Sequence, residues 1–555
     1  LKAMHKKILD NFFIFKIKGY KRREQTTKQS IRRTIRSVGQ GLAFLIAAGL
    51  LLGGITAGAQ EGRPIIGALR VPLNELPQIE NFDVIGHHPL PNPGGSIARG
   101  WNGPIGISGN CLYVGNRIGR RTGTGPAFGT PALTSETLIV DISDPANPQP
   151  VAALPTILGS TSRELRTIQD MNTLIIMNFR DPDVAPDEGG TFNNYQIYDI
   201  SDCRNPRLMR TIEIGRVRPH EFFLWRDPNN PARFLLYSSI LGGDANFVEP
   251  SLRVFEIINP PSAAVRPVAS FTLTPAVPQV EPVDPADYRD DHFVFENKPT
   301  TQGNTLHSMS VSQDGTRVYM ANLDAGYFIL DSSHLAQNLP CTANTQTFDE
   351  TSNLNPMLCL RKINPDPNAR VDRTPPFGGI HHSIYPVPGR PYAVTGGERN
   401  GTTTCPWTPG QILDITNEKS PQVISQYMVP ENLPENCFVG GPGDPALQRE
   451  FSTHQLLVFP NIFFNSWYSA GLRAWDISIT ALPSEVGVFV PRPEDQVVER
   501  FRNSPDVWTW PFPILHNGLI YITDENSGLY VLRYTGPRAD ELPQQGTFLS
   551  NTNFR

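Results

Sequence analysis

The chain has 555 residues, a formal net charge of −5, 39% hydrophobic residues, 53 prolines and 46 glycines. Apolar content at that level supports a large core, and Pro plus Gly stay below the level that marks disorder, so the composition describes a turn-rich globular protein. The six cysteines include no CxxC pair, which argues against a thiolate zinc site, and their even number suits disulfides in an oxidising compartment.

The first 59 residues stand apart. They hold twelve Lys and Arg against Asp10 and Glu24, and the apolar run of residues 41–59 follows, ending in Ala57, Gly58 and Ala59. Basic start, apolar middle and small-residue end are the parts of an export signal, here expected to be cleaved near Ala59. At about nineteen residues the run is also long enough to serve as an uncleaved anchor. Arg32 and Arg33 hint at twin-arginine export, although Ile31 and Arg36 depart from that pattern. Without the leader, 36 basic residues face 51 acidic ones, a net charge near −15, which argues against nucleic acid or an anionic membrane as partner. The expected location is the periplasm or the outer surface of a bacterium, with no stable membrane insertion after cleavage. Cys341 with Cys359, and Cys405 with Cys437, would each staple one insertion loop.

After a linker at 60–79 the chain turns repetitive. A β-rich strand ending in an acidic residue, followed by a Pro-containing turn, recurs as LIVDISDPANP, YQIYDISDCRNP, LRVFEIINPP, YFILDSS, QILDITNEKSP, GLRAWDIS and GLYVLRY. Its acidic residues are Asp141, Asp199, Glu256, Asp331, Asp414 and Asp476, with Arg533 in the seventh place. Upstream lies a strand pair, clearest at 307–322, where two alternating runs flank an Asp-Gly turn and predict a hairpin. Four strands per unit and seven units predict an all-β fold, a seven-bladed β-propeller spanning 80–535, with 536–555 as a C-terminal tail. The last unit lacks an outer strand. Residues 80–91 supply one, so the ring is expected to close through an N-terminal strand, which removes an exposed edge.

The segments LIVDISDPANPQPVAALP and GLRAWDIS resemble the LVIVD-repeat family of exported bacterial propellers over most of the chain after the leader. That resemblance implies architecture and lends no activity. The run HQLLVFPNIFFNSWYSAGLRAWDIS, and RPHEFFLW with it, is more distantly similar to the selenium-binding protein and methanethiol oxidase family, which implies a His-rich, copper-associated propeller. The Cys-rich features of that family are missing here, so thiol chemistry does not transfer.

The inner strands align Gly103, Glu164, His220, His307, His382, His454 and Trp510 at one position. Four adjacent blades therefore carry histidine where the strand enters from the axis. In WD-repeat propellers a histidine before the inner strand braces its own blade, with an acidic residue as the natural partner. Here the acidic residue recurs in blades one and two without a histidine, which favours a site. Four imidazoles without thiolate suit a transition metal, with iron or copper preferred and zinc allowed. Carotenoid-cleaving oxygenases hold iron with four histidines in a propeller; the comparison is one of architecture, without sequence likeness. Glu164 and Glu221 are candidates for orienting the ligands, and Trp101, Trp508 and Trp510 for walling the channel mouth. Period-two alternation turns His381 away from His382, and His87, His88, His292, His334 and His516 fall outside the column.

The sequence contains no serine nucleophile elbow, phosphate-binding glycine loop or HExxH helix. Two readings follow: an exported metalloprotein, an oxidoreductase acting on a small molecule at the axis, or a non-catalytic propeller that presents loops to a surface protein or glycan.

Overall fold

Alternating apolar residues bounded by Asp, Asn, Gly and Pro turns leave each four-stranded unit with two faces to bury. Seven units bury them against one another in a ring. The computed structural model describes residues 77–90, 101–117, 136–155, 160–180, 193–214, 218–241, 252–262, 264–271, 306–322, 326–339, 360–362, 380–398, 407–433, 450–493 and 507–554. The basic leader, the apolar run, both proposed cysteine staples and most of the long insertions lie outside the described residues.

Among the described residues, seven antiparallel sheets form the blades of a β-propeller. Their innermost blade strands are Trp101–Ser108, Ser160–Ile168, Arg218–Arg226, Leu306–Val311, Ile380–Pro386, Leu456–Val458 and Ile514–His516, for blades one to seven. In blades one to six the chain runs outward from each, strand by strand. Blade three, for example, continues through Arg233–Leu241, Leu252–Ile258 and Ala264–Phe271. Blade seven takes its outer strand from the N-terminal side, where Phe82–His88 pairs antiparallel with Gly528–Tyr534. The ring therefore closes as the sequence predicts. Gln78–Glu80 also adds a fifth strand to blade six, on Ser484–Val490.

The core is divided by junction. One apolar cluster fills each of the seven gaps between neighbouring blades, such as Trp225, Leu235, Met309 and Met320 between blades three and four and Ile105, Val114, Ile514 and Val531 where blade seven meets blade one. Among the described residues each of these seven clusters draws on two neighbouring blades, so stability belongs to the closed ring. The hairpin predicted at 307–322 forms between Leu306–Val311 and Arg317–Asn322. Gly315 in its turn has φ of +75°, and a Cβ there would lie 2.5 Å from the Trp225 ring, so only glycine fits.

The acidic residue of the repeat has a local task. Asp141, Asp199, Asp331, Asp414 and Asp476 each accept the backbone N–H two residues on, at 2.8–3.0 Å. That is the Asx turn that starts the outer connection. Glu256 binds Arg233 and Arg266 instead. A disulfide joins Cys111 of blade one to Cys203 of blade two.

Residues 536–554 cross the ring where the inner strands end. Thr547–Phe548 pairs with Ile514–His516, Ser550 Oγ accepts Val458 N–H of blade six at 2.8 Å, and Asn551 O accepts Leu224 N–H of blade three at 3.1 Å. Asn553 accepts Arg226 N–H and donates to the Arg226 and Gln313 carbonyls. Gln169 of blade two donates to Thr547 Oγ1. The stretch is thus a strap across that end, joining blades two, three, four, six and seven.

Candidate metal centre

The opposite ends of the inner strands carry a β-bulge. In blades two, four and five the pairing slips by one residue between Ser162 and Glu164, Leu306 and Ser308, and His381 and Ser383. The extra residues are Arg163, His307 and His382. Blade three slips between Pro219 and Phe222, setting His220 and Glu221 against Ser239 alone. In blade six, His454 and Gln455 precede the regular ladder. A bulge leaves one residue outside the ladder and re-aims its neighbours; here it sends two successive side chains toward the axis. The serine opposite satisfies the displaced backbone: Ser239 Oγ accepts Glu221 N–H and Ser466 Oγ accepts Gln455 N–H, both at 2.9 Å.

This register corrects one alignment made from the sequence. In blade two the position equivalent to the histidines belongs to Arg163, because the inserted residue displaces the pattern by one. Glu164 stands instead in register with Glu221 and Gln455. It pairs with Arg166 at 2.6 Å rather than with an imidazole.

The four histidines come together, each buried to 1% exposure or less. Successive ring centroids from His220 through His307 and His382 to His454 are 4.2, 4.1 and 4.1 Å apart. They form an arc, and two carboxylates close it. Glu221 Oε1 lies 3.9 Å from His307 Nδ1 and 3.6 Å from His382 Nε2. Glu398 reaches His307 Nε2 through Oε2 at 3.6 Å and His454 Nε2 through Oε1 at 3.8 Å. Ligand atoms within 4.8 Å of one another define three overlapping groups: His220, Glu221 and His307; Glu221, His382 and His454; His307, His382 and Glu398. Such a buried His/Glu group can hold a metal ion.

Glu221 therefore belongs among the potential ligands, whereas the sequence suggested it only as an orienting partner. Glu398 was missed altogether. It ends the second strand of blade five, and the hairpin register that pairs it with Ile380 is the one signal that brings it beside His382.

Other contacts orient the cluster. His454 Nδ1 lies 2.7 Å from Trp510 O; a proton there donates to the carbonyl and leaves Nε2 with its lone pair toward Glu398, the arrangement common behind metal-bound imidazoles. His220 Nε2 and His307 Nε2 are 2.9 Å apart, a spacing that fits an N–H···N bond and also two adjacent ligands of one ion with bonds of about 2.0–2.1 Å. Neither ring nitrogen of His382 has a hydrogen-bond partner among the described residues, though the side chain is fully buried. Buried polar atoms are rarely left so. Tyr468 donates to Glu398 Oε1 at 2.6 Å and Gln455 donates to Glu221 Oε1.

Burial pushes His220, His307 and His382 well below the ordinary imidazole range, so all three present neutral, lone-pair-bearing rings. Burial, reinforced by Glu164, pushes Glu221 well above the usual carboxylate range. Trp508, Trp510 and Tyr468 pack as one buried group. Trp510 lies edge-on to His454 at 5.4 Å and under the Arg163 guanidinium at 4.2 Å. Trp101 opens the inner strand of blade one, and its side-chain surroundings lie outside the described residues. His381 turns away and packs on Tyr327; His87 and His516 bind Ser527 and Thr547. His88 Nδ1 accepts the Leu90 N–H.

No protein-family model matches the chain, and no curated protein matches it. Among solved structures it is similar to Sqt1 from Chaetomium thermophilum, at 12% identity over 81% of this chain and 86% of that one, with a TM-score of 0.38. The β-propeller domain of Cps50 (Swd1) from Myceliophthora thermophila gives 9% identity over 78% and 97%, with a TM-score of 0.39.

Proposed function

We propose that this protein is an exported metalloprotein, with a transition-metal centre on the propeller axis that acts as an oxidoreductase on a small molecule. The observation that carries the reading is the fully buried His382, whose two ring nitrogens lack hydrogen-bond partners among the described residues inside a ring of three further imidazoles and two carboxylates. A brace would spend those nitrogens on its own blade, and the acidic residues that would serve it are engaged in turns instead. The donor set of imidazole nitrogen and carboxylate oxygen suits iron or copper, with zinc also accommodated. His220, His307, His382 and His454 would hold the metal with Glu221 and Glu398, and the bound metal would supply Lewis-acid or redox chemistry. Trp508 and Trp510 would wall the space beside it. The terminal strap covers the far end of the inner strands, so a substrate would approach from the histidine end.

The test is elemental analysis of the purified protein beside a His307→Ala/His382→Ala double variant. Stoichiometric iron, copper or zinc that disappears in the variant supports the reading; equal trace metal in both defeats it.

A non-catalytic propeller docking a surface protein or glycan is favoured by one feature. The outer turn of blade six exposes Ile479 and Leu482 to 65% and 73%, where the equivalent turns of blades one and two are polar. Loss of partner capture on replacing both by Ser would support that role.

A further inference from the structure

One backbone outlier lies beside the centre. Tyr468, in the turn between Ile462–Ser466 and Leu472–Asp476 of blade six, has φ of +36°. Among the described residues eight non-glycine residues have positive φ, and five of them are Asn, whose short side chain tolerates that region. A bulky aromatic does not, and such conformations persist where the surroundings over-determine them, most often at functional sites. Here Thr509 N–H, on the approach to blade seven, donates to Tyr468 O at 3.0 Å and holds the turn.

The conformation aims the side chain at the histidine arc. The ring stands edge-on to His454 at 5.1 Å and packs on Trp508 at 4.7 Å. Its hydroxyl donates to Glu398 Oε1 at 2.6 Å, a length typical of a bond to an ionised carboxylate. A carboxylate on a flexible stem can turn away from the axis. This one is tied at one oxygen while the other, Oε2, faces His307 Nε2 at 3.6 Å.

We propose that Tyr468 is a positioning residue of the metal centre: its hydroxyl holds the Glu398 carboxylate in place as a ligand, and the left-handed backbone at 468 delivers it there. The inference rests on the metal-binding reading above and goes beyond it in assigning a role to a residue outside the ligand set. Partners that orient a ligand in this way are worth about 10–100-fold in metal affinity.

The experiment is titration of the full metal-depleted protein with Cu²⁺ against a competing chelator, with affinity read from bound copper and the ligand field from electron paramagnetic resonance. Tyr468→Phe removes the hydroxyl and keeps the ring beside His454 and Trp508. It is expected to bind copper about 10–100-fold more weakly, with shifted resonance parameters and an unchanged near-ultraviolet circular dichroism spectrum. Glu398→Gln is expected to weaken binding as well, and the Tyr468→Phe/Glu398→Gln double variant to bind no more weakly than Glu398→Gln alone, because the hydroxyl acts through the carboxylate. Wild-type affinity and resonance in Tyr468→Phe overturn the assignment, as do additive losses in the double variant. Wild-type affinity in Glu398→Gln also overturns it, and so does a phenolate-to-copper charge-transfer band in the wild type, which would make Tyr468 a ligand itself; neither readout needs the Tyr468 variant to fold. All four outcomes leave metal binding intact, whereas no bound copper in the wild type overturns that reading and the positioning role with it.

Discussion

Replacing His382 by leucine separates a metal site from a structural brace by the sign of a stability change. In the structure both ring nitrogens are buried without a hydrogen-bond partner among the described residues, and each such orphan costs about 1–3 kcal/mol relative to a satisfied or absent one. Leucine removes both and fills similar volume, with a repacking cost below about 1.5 kcal/mol. In chelator-treated protein, His382→Leu is therefore expected to unfold at the wild-type midpoint or above it, by up to about 2 kcal/mol. A bracing histidine predicts a loss of about 0.5–1.5 kcal/mol for the broken hydrogen bond. Metal reverses the order. Wild type gains about 2.7 kcal/mol with free metal at a hundred times its dissociation constant, and the variant gains little. The assay is urea unfolding followed by tryptophan fluorescence, with and without chelator, comparing midpoints within one protein so that multi-step unfolding affects both arms alike. A chelator-treated variant clearly less stable than wild type, with an unchanged response to metal, would refute the reasoning.

The remaining predictions concern the frame around the centre. Glu256 is buried, which raises its pKa, but hydrogen bonds from Arg233 and Arg266 outweigh that and leave it lowered. Its contribution is therefore complete above the ordinary value of about 4.5 and lost as pH falls through the folded value; Glu256→Gln should lower neutral-pH stability by about 1–3 kcal/mol and flatten the acid limb of a stability-against-pH curve. Asn553→Ala, which removes three hydrogen bonds of the strap, should cost about 1–3 kcal/mol and speed proteolytic removal of the terminal stretch. Replacing Cys111 and Cys203 by Ala opens a cross-link with a sequence separation of 92 and should lower the unfolding midpoint by the equivalent of about 2–4 kcal/mol, with no change in bound metal.

What the sequence made legible was whatever obeys a period. Strand alternation, the recurring acid and the Asp-Gly turn specify seven blades and their closure, because each is local and repeats. The histidine column was legible for the same reason. Glu398 was not, since it reaches the axis from a second strand through a cross-strand pairing that no run of neighbours displays. The placement of Arg163 failed for a related cause: a bulge adds one residue without changing composition, and Ser-Arg-Glu-Leu offers nothing that distinguishes the inserted residue from its neighbour. The tail could not be placed from its residues because its partners lie at the inner-strand ends of five separate blades. The recurrent acid was legible as a feature, and its Asx-turn role needed coordinates to distinguish a turn from a brace.

The bulges explain how a propeller obtains a site at all. In a regular strand His220 and Glu221 would face opposite sides, one into each of the two junctions flanking blade three, as Phe222 and Phe223 do, and a charged residue in such an apolar junction would be strongly disfavoured. Displacing one residue from the ladder lets both serve the axis. It also leaves a backbone N–H to be satisfied, and Ser239 and Ser466 do so in blades three and six. The same device in blade two delivers Arg163 and Glu164, so the ring of inner residues changes from a cation stacked on Trp510 to imidazoles able to hold a metal without any change in architecture. Identity at the bulge sets chemistry, while the ladder beyond it sets the fold. Deleting a bulge residue should therefore restore regular pairing in that blade and remove two side chains from the centre, whereas substituting it removes one.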